Sequence, residues 1–126
     1  MSFKLSSLPL LALVLAVQSP LSHAAGNAQA GKAAFAKCAS CHAVGPSARG
    51  GFGPQLNGIF GRRAGSTKDY KYSPEMQKSG IVWTDKTVSA FLRAPSDVVP
   101  GTKMRFWGIS DQKQIDDLLA YLRTFQ

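Results

Sequence analysis

The chain reads as an all-α domain, and three features of its sequence point there. Four stretches carry helical propensity or periodicity with cap residues at their starts. No stretch alternates apolar and polar residues convincingly enough to read as a strand. What separates the helices is rich in Gly and Pro, in two loops that run from Gly45 to Tyr72 and from Ala94 to Ile109. Loops of that length in a compact domain are usually functional or wrapped around something. At 126 residues the chain suits a single small domain with a thin core, which a metal or cofactor often completes.

Residues 1–24 read as a cleaved secretory signal peptide. Lys4 supplies the positive start, Leu8 to Val17 the apolar run, and Ser22-His23-Ala24 the small residues read at a cleavage site. The apolar run is about half the roughly 20 residues a spanning helix needs, and Pro9 and Pro20 flank it. The expected domain is therefore 25–126, exported to a bacterial periplasm. Cleavage removes His23, so His42 becomes the sole histidine.

The first helix is expected from Asn27 to Ala39, capped by Asn27 and Ala-rich from Ala28 to Lys37. Gly31 inside it costs about 1 kcal/mol relative to Ala, which points to close contact with another backbone. The second runs from Pro74 to Ser79, with Ser73 as cap, Pro74 in the first turn and Gly80 as stop. The third starts at the Thr84 cap, buries Val88, Phe91 and Leu92, and ends before Pro95. The last spans Asp111 to Thr124, capped by Ser110. Ile115, Leu118, Leu119 and Leu122 on it follow the i, i+3, i+4, i+7 pattern.

With 15 Lys and Arg against 7 Asp and Glu, the net charge is +8 and suggests acidic partners. Two Cys and two His are too few for a disulfide scaffold or a four-ligand zinc site. Nucleic acid is not expected, since an exported chain without a recognition module offers it no support.

Cys38-Ala39-Ser40-Cys41-His42 is a C-x-x-C-H sequence, the attachment signature of c-type haem. Residues i and i+3 of a helical turn face one side, so both thiols can reach one porphyrin edge, and the adjacent His42 can offer a ring nitrogen to the iron. A thioredoxin-like pair would open a helix among strands, whereas this pair closes an Ala-rich helix. A plain disulfide leaves His42 unexplained. The residues alone leave the second axial position to a Met, a Lys or an open site. Met76 fits core filler in a short helix, and the Pro100-Gly101 turn favours Met104.

These segments, with others in order along the chain, resemble the class I cytochromes c, specifically the mitochondrial and bacterial c2-like branch. The matching runs are Cys38 to His42, Gly53-Pro54, Gly58 to Arg62, Tyr72-Ser73, Ser79 to Trp83, Phe91-Leu92, Pro100 to Phe106 and Asp117 to Leu122. The resemblance implies a class I cytochrome c fold of three to five helices around one covalent haem c. Its N- and C-terminal helices would cross at Gly31, with Phe35, Leu118 and Tyr121 packed there. It implies that Cys38 and Cys41 form the thioethers, and that His42 and Met104 are the axial ligands. The Pro54 carbonyl would orient His42, and Arg62, Tyr72, Trp83 and Thr102 would lie at the haem propionates.

The implied function is one-electron transfer between redox proteins, not enzymatic turnover, by a soluble periplasmic monomer. Lys32, Lys37 and Lys103 match lysines that dock acidic partners such as an oxidase, a bc1-type complex, a reaction centre or a periplasmic dehydrogenase. The alternatives are a dedicated electron-accepting subunit of one oxidoreductase, or a haem peroxidase or gas-binding protein with labile Met ligation. Two departures from the family pattern, Phe91 in place of a common Tyr and Met76 in place of a common Asn, lead us to expect a drier pocket.

Overall fold

A computed structural model describes Met1 and residues 25–126; the expected signal peptide lies outside the described residues. Five α-helices form: α1 (Ala28–Ala34), α2 (Pro74–Lys78), α3 (Asp85–Arg93), α4 (Pro95–Val98) and α5 (Gln112–Leu122). Short 3-10 turns follow α1 (Phe35–Lys37) and α5 (Arg123–Phe125). The architecture is the expected all-α one. Its only β pairing among the described residues is an isolated antiparallel bridge between Arg63 and Val82.

The caps explain where each helix begins. Asn27 accepts from Ala30 N, Ser73 from Met76 N and Thr84 from Thr87 N, and Thr87 returns a bond to the Thr84 amide. Asp111 rather than Ser110 caps α5, accepting from Lys113 N at 2.9 Å and Gln114 N at 3.5 Å. The first helix is also shorter than expected. It tightens into the 3-10 turn at Phe35, which delivers Cys38 at the turn's end. The α4 turn was not anticipated, although Pro95 at its first position is a recognised start.

α1 and α5 cross at small residues. A Cβ on Gly31 would lie 1.9 Å from the Asp117 carbonyl oxygen, and one on Gly26 would lie 2.0 Å from that of Asp116. Only glycine lets the backbones meet so closely. Phe35 packs on Tyr121 at 5.5 Å beside this point, as expected. Asp117 is buried here and accepts two bonds: Asn27 N donates to it across the crossing at 2.7 Å, and Lys113 Nζ, one turn earlier on α5, donates to it at 2.7 Å. Together they hold its carboxyl below the usual carboxylate range, the Lys113 bond contributing most.

The long loops are pinned to the helical frame at a few points. Gly53 N donates to Cys41 O, Leu56 N to Ala43 O, Gly58 N to Phe125 O and Ile109 N to Leu92 O. Pairing of Gly61–Ala64 with Ile81–Trp83 turns Arg62 and Trp83 inward while Arg63 and Val82 stay exposed. The core thus has helices on one side and loops on the other, with a space between them.

Candidate haem site

That space is a cavity of about 410 Å³, within the range of small-molecule and cofactor sites. Its inner wall is apolar: Phe35, Ile59, Trp83, Phe91, Leu118 and Leu122 all line it and all are buried. The C-x-x-C-H segment enters from the end of α1. The amides of Cys41 and His42 both donate to the Cys38 carbonyl, closing a helical turn that brings Cys38, Cys41 and His42 to one wall. Both thiols are free. Burial pushes the Cys38 thiol above its ordinary pKa, opposed by Lys37 and reinforced by Cys41.

His42 is the most constrained polar group of the site. Its Nδ1–H donates to the Pro54 carbonyl at 2.7 Å, which leaves Nε2 as the nitrogen able to ligate. A Cβ on Gly53 would stand 2.7 Å from the ring's Cε1 and 2.9 Å from Nδ1, so glycine there is what lets the loop clamp the imidazole. Burial lowers the His42 pKa, partly offset by the Pro54 bond and assisted by nearby Arg62. Both the burial and the Arg62 charge favour the neutral ring, the form that binds iron.

The remaining expected residues converge on the same cavity. Arg62 donates to the carbonyls of Gln55 at 2.8 Å and Asn57 at 3.1 Å. Burial lowers its pKa while Tyr72 and Asp69 oppose that; a guanidinium stays charged regardless. Tyr72 shares a 2.7 Å hydrogen bond with Thr67. Trp83 packs against Phe91 with ring centroids 5.2 Å apart. Thr102 is buried at the margin, its hydroxyl accepting from Met104 N at 3.2 Å. Met104 and Met76 both line the cavity, so proximity alone does not choose between them. Lys37 and Lys103 stand at its mouth; Lys32 is exposed on α1 and does not line it.

Several contributors escaped the sequence reading. Thr67, Gln55 and Asn57 hold Tyr72 and Arg62 through contacts that carry no motif. Tyr70, Phe52, Arg105 and Phe106 also line the cavity. For Phe106 a signal existed: in an extended run it falls two residues after Met104, on the same side of the chain.

The donor set fits a covalent haem. Two free thiols, an oriented neutral imidazole, a thioether and an inward-turned guanidinium share one apolar cavity. Comparison with known proteins agrees. The family model described as cytochrome c matches residues 28–126. A cytochrome c2 of Agrobacterium tumefaciens is 48% identical over 100 residues, covering 77% of this chain and 90% of that one. A cytochrome c-550 of Nitrobacter winogradskyi is 45% identical over 100 residues, covering 79% and 92% respectively. The solved structure of cytochrome cH from Methylobacterium extorquens superposes with a TM-score of 0.74 at 44% identity, covering 79% of this chain and 99% of that one. Thiols, ring and relatives agree on one conclusion: the chain belongs to the cytochrome c family, in its class I c2-like branch, and takes one covalent haem c.

Proposed function

We propose that this protein is a one-electron carrier of the periplasm, with Cys38 and Cys41 as the haem thioether sites and His42 and Met104 as the axial ligands. One observation carries the reading: an oriented imidazole and a methionine line the same apolar-walled cavity, so this chain can fill both axial positions itself. Haem iron ligated on both sides supplies a one-electron couple with no open position for a substrate.

The chain's own residues perform the rest. The Pro54 carbonyl holds the His42 ring in one tautomer and raises its basicity. Arg62 brings a fixed positive charge to the cavity, where it would compensate haem propionates together with Tyr72, Trp83 and Thr102. Phe91, Met76 and Leu118 offer no hydrogen bonds and exclude water from the inner wall. Lys37 and Lys103 set a positive field at the mouth that speeds encounter with acidic redox proteins. Lys32 lies further from the mouth and adds only to the general charge. The periplasmic location rests on the signal segment at 1–24.

Voltammetry of the haem-loaded protein, followed by carbon monoxide addition to its reduced form, tests the reading. A reversible one-electron wave and a reduced spectrum unmoved by carbon monoxide at neutral pH are expected. A spectrum shifted by carbon monoxide would reveal an open or labile position and favour a gas-binding protein or peroxidase instead.

A further inference from the structure

Trp107 is fully exposed, next in sequence to Phe106, whose side chain lines the cavity. Its indole makes no hydrogen bond, ring stack or cation contact among the described residues. The placement follows from the backbone. From Thr102 to Trp107 the chain alternates, with Thr102, Met104 and Phe106 less exposed and Lys103, Arg105 and Trp107 exposed. Such alternation is the period of an extended segment, so the outward face reads cation, cation, indole.

The segment is held at both ends. Thr102 N donates to Val99 O at 3.0 Å, and Lys103 Nζ donates to Lys71 O at 2.6 Å. Beyond the tryptophan, Ile109 N donates to Leu92 O at 2.8 Å. Gly108 has φ +100°, and a Cβ there would fall 2.1 Å from the Arg93 carbonyl oxygen. Trp107 is therefore presented outward by a pinned extended segment. Turning it inward would expel Phe106 from the cavity wall.

We propose that Trp107 is the apolar anchor of this protein's docking surface, received by an apolar recess ringed with carboxylates on its redox partner. This rests on the carrier reading above. The surroundings select that partner. The charged residues that line the cavity are all cationic, Arg62 turned inward and Lys37, Lys103 and Arg105 exposed; no Asp or Glu among the described residues lines it, and Phe52 beside them is 88% exposed. A second copy of this chain brings the same cations against them and is repelled. A lipid surface would cover the cavity mouth with a layer that neither gives nor takes electrons. Interface hot spots are enriched in tryptophan seated in desolvated pockets with a polar surround, which is the arrangement Trp107 offers.

The anchor has a signature that charge lacks: its contribution does not fade with salt. The test uses haem-loaded protein adsorbed on gold carrying either a pure carboxylate-terminated monolayer or a mixed carboxylate- and methyl-terminated one. Wild type is expected to bind the mixed surface more tightly and to persist there at ionic strengths that strip it from the pure one. Trp107→Ala should lose about tenfold in affinity for the mixed surface at every ionic strength, and Trp107→Phe should regain most of that. Val82→Ala, an exposed apolar residue that does not line the cavity, serves as the control expected to match wild type. Equal binding of wild type and Trp107→Ala to the mixed surface overturns the anchor. A tenfold loss that also appears on phosphatidylglycerol vesicles overturns the protein partner in favour of a membrane. Absence of any reversible wave from adsorbed wild type sinks the carrier reading itself, a different failure from either.

Discussion

The α1–α5 crossing and the loop wall opposite it solve the same problem in different ways. At the crossing, backbone meets backbone: Gly31 and Gly26 admit the carbonyls of Asp117 and Asp116, and Asp117 ties Asn27 to α5. On the loop side, segments 45–72 and 99–109 carry scattered pins to the frame and turn their side chains toward the cavity. The crossing is closed by the chain's own backbone contacts, whereas the loops border an open space and are expected to depend on what fills it. The two are nevertheless coupled, because Phe35, Leu118 and Leu122 face the cavity from the helical side.

The largest effect is expected from emptying the cavity. Replacing both cysteines, Cys38→Ala with Cys41→Ala, prevents covalent attachment and removes the largest member of a thin core. Calorimetry of this variant should show no cooperative transition. A sharp transition surviving without haem would mean that the crossing is self-sufficient and the loops are passengers.

Next in size is a pair of glycine substitutions, one in each region. Gly31→Ala drives a methyl into the Asp117 carbonyl and should cost about 3 kcal/mol. Gly51→Ala, with nothing within 4 Å of the added carbon, should stay within about 0.5 kcal/mol. Denaturant midpoints of the haem-loaded variants decide it, and similar losses at both positions would erase the distinction.

Asp117 gives the crossing a pH dependence. Its folded pKa is depressed, first by Lys113 and then by the Asn27 amide. Its stabilisation is therefore complete above the unfolded value of about 3.9, and it is lost as pH falls through the lower folded value. Asp117→Asn should be less stable than wild type at neutral pH, with the difference shrinking in acid. A difference that grows on acidification would contradict the linkage.

The smallest effects concern the cavity lining. Phe91→Tyr and Met76→Asn restore hydrogen-bonding groups to a wall that is now apolar, and both should shift the midpoint potential while leaving the fold intact. Unchanged midpoints in both would show that the dryness of this wall does not tune the haem.

What could be read beforehand divides along the same line. Helices with a cap and a periodic apolar face, such as Asp85–Arg93 behind Thr84, announce themselves because the signal is local. So does Cys38 to His42, where attachment chemistry demands a fixed spacing. Gly31 was legible as a close approach because a mid-helix glycine is costly without one. The Asp111 cap was missed because Ser110 beside it has the same chemistry, and backbone geometry alone chooses between them. The bonds that set Arg62 and Tyr72 run to carbonyls and a hydroxyl 5 to 7 residues away in irregular chain, where no period or motif marks them. Trp107 carries no mark for a related reason: a lone aromatic in a loop has no period, and its exposure follows only once Phe106 faces the cavity.

On the carrier proposal, His42 and Met104 together close both axial positions and Met76 only lines the cavity. The visible spectrum of the oxidised, haem-loaded protein reports this through the methionine–iron charge-transfer band. The band should be present at neutral pH in wild type and in Met76→Leu, and absent in Met104→Leu. A band that survives Met104→Leu and disappears in Met76→Leu would contradict the account.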